Sequence, residues 1–308
     1  MTSRSVFGII MGLYAGFALA SPLAAQEAPE MIAPGVVSTS DGEHSPTFDP
    51  RRGELYFMRR TPGRFDYTIM ASRLVDGEWS EPAVAPFSGE YRDAGPSLSP
   101  DGSTLVFDSR RPNAPLREGS IDLWQVTRTD DGWTEPALLV EASRDAADEP
   151  TAGRDEFGPL LTREGDLYFY SFRRPDRGGR HLRIRAGAPD VVEHAAELPD
   201  PSAGTFVCYT TLSADGNLVV FEGRERAGSA TDLFAARRDE DGQWGEPFAL
   251  EAINTPAGEG TPYLSPDGQK LFFASDRPAE SGDAETSNLF VVDLDAALAR
   301  EPERDRGN

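Results

Sequence analysis

A short pattern of residues recurs five times along this 308-residue chain and restricts its fold more than any other feature. The clearest copy runs from Thr261 to Arg277, with the turn Pro266-Asp267-Gly268 between two apolar stretches. Proline presets the backbone at the first turn position, aspartate bonds the local backbone, and glycine accepts a positive φ. Leu271 and Phe273 alternate with their neighbours as they do in a strand. The segment therefore predicts two antiparallel strands joined by a tight turn.

The other copies repeat this order of elements, and each supplies a glycine to its turn. The glycines are Gly53, Gly102, Gly165, Gly216 and Gly268, at intervals of 49, 63, 51 and 52 residues. That period is close to the ~40 to 50 residues of a four-stranded propeller blade. A third strand follows each copy, and in three copies an Asp-Gly turn and a tryptophan then open a fourth. The sequence predicts an all-β fold, a single β-propeller of five four-stranded blades.

The chain divides into four predicted regions. Residues 1–25 join Arg4 to an apolar run and are typical of a secretory signal peptide, which predicts a periplasmic or secreted protein. Residues 26–33 are predicted to be a flexible leader, residues 34–294 the propeller, and residues 295–308 a charged tail. The segment from Gly35 to Ser38 is expected to complete the last blade and cover its open edge. No stretch after the signal peptide is long and apolar enough to span a membrane.

The repeat also resembles a known family. Ser265-Pro266-Asp267-Gly268 followed by Leu271 to Arg277 is similar to the repeat of TolB-type, WD-like propellers in exported bacterial proteins. The resemblance extends over about residues 34–294. It implies a module that binds a protein partner or a polar ligand and has no catalysis of its own, since this repeat occurs in scaffolds, translocation components and the non-catalytic halves of peptidases.

Charge and composition exclude several classes of function. The net charge of −22 repels phosphate backbones and anionic lipid surfaces, so neither nucleic acid nor a membrane is an expected partner. Cys208 is the single cysteine, which rules out an intramolecular disulfide. The three histidines fall in separate blades, and the chain has no aspartate-rich calcium loop. The sequence predicts no metal and no cofactor.

Charged residues recur at fixed positions of the repeat and form the candidate site. The acids before the inner-strand prolines are Glu43, Asp93, Glu156 and Glu259. The arginines after the second strands are Arg60, Arg111, Arg173 and Arg277. Inner strands line the channel of a propeller, so these groups, with His44, are expected at one channel mouth. Two interpretations stay open: ion pairs that fix neighbouring blades in register, or a mouth that binds a cation or a polar ligand such as a carbohydrate.

Glycoside hydrolysis is the alternative function. Some five-bladed propellers cleave sugars with inner-strand carboxylates, and the reaction needs an acid and a base or nucleophile on either side of the bond. The candidates for that pair are two of Asp41, Glu43, Asp93, Glu156 and Glu259. Because catalytic acids usually differ in environment, the regular recurrence of these residues favours a structural role. From the sequence we therefore expect a binding or scaffold module rather than an enzyme.

Overall fold

A computed structural model describes most of the chain. The described residues are 28–60, 67–112, 119–143, 155–172, 179–195, 198, 209–224, 230–278 and 286–299. The predicted signal peptide, residues 1–25, and the predicted tail beyond residue 299 lie outside them. No helix in this described part of the chain has the length and apolar character needed to cross a membrane.

The described residues form five antiparallel sheets, and apart from β1 their strands follow one another in chain order. The first described strand is β1 (Glu30–Met31), and blade one contains β2 (Glu43–Asp49), β3 (Glu54–Arg60), β4 (Tyr67–Val75), β5 (Glu78–Trp79) and β6 (Ala83–Val84). Blade two contains β7 (Asp93–Leu98), β8 (Thr104–Ser109), β9 (Asp122–Thr129), β10 (Gly132–Trp133) and β11 (Ala137–Leu138), and the short helix α1 (Val140–Ser143) follows it. Blade three contains β12 (Glu156–Leu161), β13 (Leu167–Ser171), β14 (Arg180–Arg185) and β15 (Ala188–His194).

The last two blades complete the ring. Blade four contains β16 (Thr210–Leu212), β17 (Leu218–Gly223), β18 (Asp232–Arg237) and β19 (Phe248–Ala249). Blade five contains β20 (Glu259–Leu264), β21 (Lys270–Ser275) and β22 (Asn288–Asp293), with β1 as its outer strand, and the helix α2 (Leu294–Ala297) follows. The predicted fold, an all-β propeller of five blades closed by an N-terminal strand, is confirmed.

The closing strand lies earlier in the chain than the sequence predicts. β1 pairs with β22, with Glu30 opposite Val291 and Met31 opposite Phe290. The expected segment from Gly35 to Ser38 instead forms a turn, in which the Gly35 amide donates to the Ser38 carbonyl at 2.8 Å. Val37 in this turn is fully buried between blades five and one. The apolar residues that suggested a strand therefore fill the gap between two blades, and part of the predicted leader makes the closure.

One phenylalanine from the second strand of each blade forms the centre of the core. These residues are Phe57, Phe107, Phe169, Phe221 and Phe273, each with an exposed fraction of 2% or less. Burying an aromatic side chain of this size stabilises a fold by roughly 2 to 3 kcal/mol. The repeat thus supplies one large apolar contact to every blade.

A bulge interrupts four of the inner strands just before their prolines. The strand register shifts at the same place in β2, β7, β12 and β20. The residue before the proline has a positive φ in each: Ser45 at 48°, Gly95 at 54°, Gly158 at 54° and Thr261 at 46°. A bulge bends its strand, and proline needs no partner for the amide it lacks. Residues of these bulges, among them Ser45, Gly95 and Thr261, line a cavity of about 30 Å³ at the centre of the propeller.

The turns of blades two, four and five, Ser-Pro-Asp-Gly in two of them and Ser-Ala-Asp-Gly in blade four, share one hydrogen-bond pattern. In blade two, the Ser99 hydroxyl donates to the Asp101 carboxylate at 2.6 Å and accepts from the Thr104 amide at 3.0 Å. The same bonds recur at Ser213 with Asp215, and at Ser265 with Asp267. The Ser99 hydroxyl, with Ser103, lowers the pKa of Asp101 to about 2.

This shift makes the turn sensitive to acid. The pKa of Asp101 is lower in the folded chain than its usual 3.8, so its contribution to stability is complete above pH ~4. It decreases as the pH falls through about 2. We expect the free energy of unfolding of the protein, relative to Asp101→Asn, to decrease between pH 4 and pH 2. Denaturant titrations across that range measure it, and a difference that stays constant down to pH 2 contradicts the assignment.

Two turn glycines allow a matched test of crowding. Gly102 and Gly268 have nearly the same φ, +67° and +71°. A Cβ at Gly268 meets nothing within 4 Å, whereas one at Gly102 strikes the Asp49 carboxylate and lies 2.9 Å from Arg51 Nη2. Gly268→Ala should lower the free energy of unfolding only by the ~1 to 2 kcal/mol that an alanine costs in a left-handed conformation. Gly102→Ala should lower Tm at least twice as much as Gly268→Ala does. Thermal unfolding followed by circular dichroism measures both, and equal shifts exclude the predicted clash.

Candidate functional site

The recurring acids lie at the start of the inner strands and are completely buried. Glu43, in β2, accepts bonds from the Thr39 amide at 2.8 Å, the Thr39 hydroxyl at 2.6 Å and Arg59 Nε at 2.9 Å. Arg59 also donates to the Val36 and Val37 carbonyls. Glu43 therefore joins the segment that enters blade one to the end of the second strand of that blade.

The same arrangement, which we call the acid clasp, recurs in blades two and five. Asp93 accepts from the Ser88 hydroxyl at 2.8 Å, the Ser109 hydroxyl at 2.7 Å and Arg111 Nη1 at 2.8 Å. Arg111 also donates to the Phe87 carbonyl. Each acid clasp thus ties the preceding inter-blade segment to the two innermost strands of its own blade.

The remaining members of the repeat agree with this arrangement as far as the described residues extend. Glu259 accepts from the Thr255 amide and hydroxyl, the Ser275 hydroxyl and Arg277 Nη2, at distances of 2.7 to 3.1 Å. Glu156 accepts from the Ser171 hydroxyl at 3.0 Å. Arg173, the expected partner in blade three, lies outside the described residues, as does Cys208.

The geometry differs in two respects from the ion pairs that the sequence suggests. The described pairs join an acid to an arginine of its own blade, not of a neighbouring blade. In blade one the partner is Arg59, whereas Arg60 is exposed at the end of β3. Arg59 occupies the place that Ser109 and Ser275 hold in their blades. Burial raises the pKa of Glu43, and Thr39 and Arg59 act in the opposite direction.

A cavity of about 370 Å³ opens at the end of the channel where the inner strands begin. We call it the mouth cavity. Aromatic and polar side chains line it, and among them are His44, Tyr67, Arg92, Phe157 and Tyr209. His44 packs edge-on to Tyr67 with the ring centroids 6.2 Å apart, and burial lowers the pKa of His44. Ring faces beside hydrogen-bonding groups suit a ligand with both apolar and polar faces, such as a sugar.

Two carboxylates from adjacent blades open onto the mouth cavity. Glu222, half-buried in blade four, accepts a bond from the Thr261 amide of blade five at 2.9 Å. Asp276, just after β21, is exposed, and its carboxylate has no hydrogen-bond partner within the part of the chain that the structure describes. The site therefore holds one bonded and one solvent-facing carboxylate.

The glycines that enter β20 show how close these two carboxylates are. An added Cβ at Gly260 would lie 2.7 Å from Glu222 Oε2, and one at Gly258 would lie 3.0 Å from Asp276 Oδ2. Two residues of extended chain span at most about 7 Å. The two oxygens are therefore within roughly 13 Å of each other. Both separations used in glycoside hydrolysis, about 5.5 Å and 6.5 to 9.5 Å, fall inside that limit.

Arg92 is held in place on the wall of the mouth cavity. Its Nη1 pairs with Asp108 at 2.6 Å, and its guanidinium carbon lies 5.7 Å from the ring centroid of Tyr67. Burial raises the pKa of Asp108, and Arg92 lowers it. The pair leaves Arg92 as a fixed donor beside the cavity.

The structure separates the sequence-predicted site residues into distinct places. His44 lies in the mouth cavity, and Glu259 forms part of its wall while bonded in the acid clasp. Glu43, Asp93, Arg111 and Arg277 are engaged in acid clasps. Asp41 is half-buried just before β2. No group of three or more histidine, cysteine, aspartate or glutamate residues suited to a metal ion occurs among the described residues.

Comparisons with known proteins give fold matches without sequence matches. No family model and no curated protein matches the sequence. The solved structure of arabinanase Arb43A from Bacillus subtilis is similar with a TM-score of 0.53 and 12% identity, over 83% of this chain and 95% of that chain. The catalytic domain of a GH62 α-L-arabinofuranosidase from Coprinopsis cinerea gives a TM-score of 0.52 and 14% identity, over 86% and 96% of the two chains.

A third similar structure comes from a marine bacterium. The family 117 glycoside hydrolase Zg3597 of Zobellia galactanivorans matches with a TM-score of 0.52 and 13% identity, over 88% of this chain and 90% of that chain. At these identities the likeness establishes the shared fold.

These matches correct two expectations drawn from the sequence. The resemblance to TolB-type, WD-like repeat proteins is wrong as an assignment, because the similar propellers are glycoside hydrolases. The expected protein-binding scaffold without catalysis is overturned by the same findings, which favour the alternative, a carbohydrate-active enzyme. The turn pattern that carried the resemblance specifies how a blade folds, and it does not by itself assign a function.

Proposed function

We propose that the protein is a glycoside hydrolase that cleaves its substrate in the mouth cavity. The observation that carries the proposal is the pair Glu222 and Asp276, two carboxylates of neighbouring blades that open onto one cavity lined with aromatic rings. The solved structures that share the fold are an arabinanase, an α-L-arabinofuranosidase and a family 117 glycoside hydrolase. Their names support α-L-arabinofuranosides as the first substrates to test.

The reaction assigns a role to each part of the cavity. One carboxylate gives a proton to the leaving glycosidic oxygen, and the other activates the attacking water or attacks the anomeric carbon itself. Tyr67, Phe157 and Tyr209 offer ring faces to the sugar, and Arg92 donates to its hydroxyls. The acid clasps hold the segments that carry these side chains. The cavity of about 370 Å³ accommodates a small number of sugar rings.

The signal-peptide pattern of residues 1–25 supports export of the enzyme to the periplasm or out of the cell, where polysaccharide substrates occur. The acidic surface suits a neutral glycan better than a polyanionic one.

Hydrolysis by the full mature chain tests the proposed function. We expect release of sugar from 4-nitrophenyl α-L-arabinofuranoside, from arabinan, or from another glycan in a panel that includes xylan and agar oligosaccharides. Proton NMR of the first product gives the anomeric configuration, and hence shows whether the carboxylate separation is that of a retaining or an inverting enzyme. Failure to cleave or bind any member of the panel, with the protein folded, contradicts the proposal.

A further inference from the structure

The residue that follows each recurring acid differs from blade to blade. His44, Ala94, Phe157 and Gly260 hold this position in blades one, two, three and five. His44, Phe157 and Gly260 line the mouth cavity. Among these four residues, His44 alone has a side chain that forms hydrogen bonds. Equivalent positions of the repeat therefore give the mouth cavity one imidazole, one aromatic ring and one position without a side chain.

The position without a side chain lies at the junction of blades five and one. The Ser45 amide donates to the Thr261 hydroxyl at 2.9 Å, so the residues that directly follow His44 and Gly260 are in contact. Gly260 lacks the positive φ of the turn glycines, so its backbone conformation does not require glycine. A Cβ there would lie 2.7 Å from Glu222 Oε2. The absence of a side chain therefore keeps a space open next to Glu222.

Packing rather than hydrogen bonding holds the His44 ring. It meets the Tyr67 ring edge-on, with the centroids 6.2 Å apart and an angle of 88° between the planes. The Arg92 guanidinium carbon lies 5.7 Å from the Tyr67 ring centroid, and Arg92 is itself fixed by its pair with Asp108. The His44 nitrogens form no hydrogen bond with any residue that the structure describes, and His44 is only half-buried. Its polar atoms are therefore available to a ligand in the mouth cavity.

The titratable groups around His44 come from two blades. Asp276 follows β21 of blade five, Arg60 ends β3, and Tyr67 begins β4. Burial lowers the pKa of His44 below its usual 6.5, Asp276 raises it, and Arg60 lowers it further. His44 is therefore neutral at neutral pH. A neutral imidazole has one donor and one acceptor nitrogen, and a sugar hydroxyl is able to bond with either.

We propose that His44 is a specificity-determining residue, whose neutral imidazole hydrogen-bonds one hydroxyl of the sugar that lies over Gly260. The inference rests on the proposed function and adds a requirement on the substrate, a free hydroxyl on the side of blade one. A site that bonds a substrate hydroxyl rejects the analogue that lacks it, because the protein group is then left unpaired. Protonation of His44 would place a positive charge near Asp276 and weaken that carboxylate as a base or nucleophile. The reaction therefore needs the neutral form of His44.

Two variants of the full mature chain separate hydrogen bonding from packing. His44→Phe keeps a ring against Tyr67 and removes both nitrogens. We expect it to lower kcat/KM on the best substrate of the panel at least about tenfold, mainly through KM, with little change in Tm. His44→Gln keeps a donor and an acceptor, and should retain at least about a third of the original kcat/KM at pH ~7.5. A His44→Phe variant with the original KM and kcat overturns the proposal.

Mono-deoxy analogues of the same substrate identify the hydroxyl. The original protein should lose at least about tenfold in kcat/KM on one analogue, the one that lacks the hydroxyl bonded by His44. His44→Phe should lose no more than about twofold on that analogue, because its contact with the hydroxyl is already gone. Equal losses in both proteins on every analogue show that His44 bonds no substrate hydroxyl.

The pH profile gives a readout that packing alone does not change. In the original protein, kcat/KM should decrease as the pH falls through the pKa of His44, which lies below 6.5. His44→Gln should keep its kcat/KM to lower pH, because glutamine does not titrate. Glu222 and Arg92, which line the cavity from blades four and two, are the same in both proteins, so the difference reports His44. Identical profiles contradict the requirement for a neutral imidazole.

Sugar binding distinguishes failure of this inference from failure of the proposed function. If the original protein cleaves a substrate and His44→Phe cleaves it equally well, only the role of His44 is wrong. If the original protein binds a sugar of the panel without cleaving it, calorimetric titration of that sugar replaces the kinetics. Binding at least about tenfold weaker in His44→Phe then supports the role of His44 while hydrolysis is excluded. A folded protein that neither binds nor cleaves any member of the panel overturns both.

Discussion

Asp276→Asn is expected to lower hydrolysis by at least ~100-fold without loss of fold. Positioned acids and bases contribute about 10² to 10⁴-fold to a reaction, and this carboxylate faces the mouth cavity from an exposed position. Since no described group bonds it, its neutral amide leaves the surrounding structure unchanged. The Tm of the variant should lie within about 2 °C of the original. Initial rates on the best substrate of the panel measure the effect.

Glu222→Gln should lower the rate of hydrolysis to a similar extent. The fold should be kept, because the glutamine amide oxygen can still accept the bond from the Thr261 amide. An aryl glycoside with a good leaving group distinguishes the general acid from the base or nucleophile. Its leaving oxygen needs little protonation, so the variant that lacks the general acid should still cleave it. Asp241→Asn is the matched control, an exposed acid at the outer edge of blade four. If Asp41→Asn abolishes turnover while Asp276→Asn does not, the reacting carboxylates lie in blade one and the proposed pair is wrong.

The fold could be predicted from the sequence because the residues that specify each blade are close together in the chain and recur in every repeat. Each turn carries its own hydrogen-bond partners, such as Ser265 with Asp267, and each second strand carries its core phenylalanine. The closing strand could not be located in the same way. Glu30 and Met31 belong to no repeat, and their partners Val291 and Phe290 lie at the other end of the sequence. Val36 and Val37 have the residue types of a strand but form a turn, because their apolar surface fills the space between two blades.

The candidate site was predicted only where it follows the repeat. Recurrence identified Glu43, Asp93 and Glu259, but not that each bonds within its own blade or that Arg59 takes the part expected of Arg60. Recurrence also directs attention away from residues that occur once. Position 222 is a glutamate where the other blades have Met58, Asp108, Tyr170 and Ala274. The departure from the repeat was visible in the sequence, whereas its proximity to Asp276 depends on how two blades pack.

Asp93→Ala is expected to cause the largest loss of stability of any single change considered. Asp93 is fully buried, and its removal leaves Arg111, with a side chain only 10% exposed, without its counter-ion. Breaking a buried ion pair on one side costs about 3 to 5 kcal/mol. For a chain of this size that corresponds to a decrease in Tm of roughly 6 to 15 °C. Thermal and denaturant unfolding measure the loss.

The double variant Asp93→Ala/Arg111→Met shows whether the cost comes from the unpaired charge. Methionine keeps apolar contact with Phe107 and Trp124, over whose rings Arg111 now lies, so at least half of the lost Tm should return. A single variant as stable as the original contradicts the acid clasp. Arg92 lines the mouth cavity and lies between Ser88 and Asp93, which this clasp joins. Since Asp93→Ala should loosen the position of Arg92, we expect the variant to raise KM more than it lowers kcat. We therefore expect the acids of the clasps to act on the proposed reaction through position, and Glu222 and Asp276 to act through chemistry.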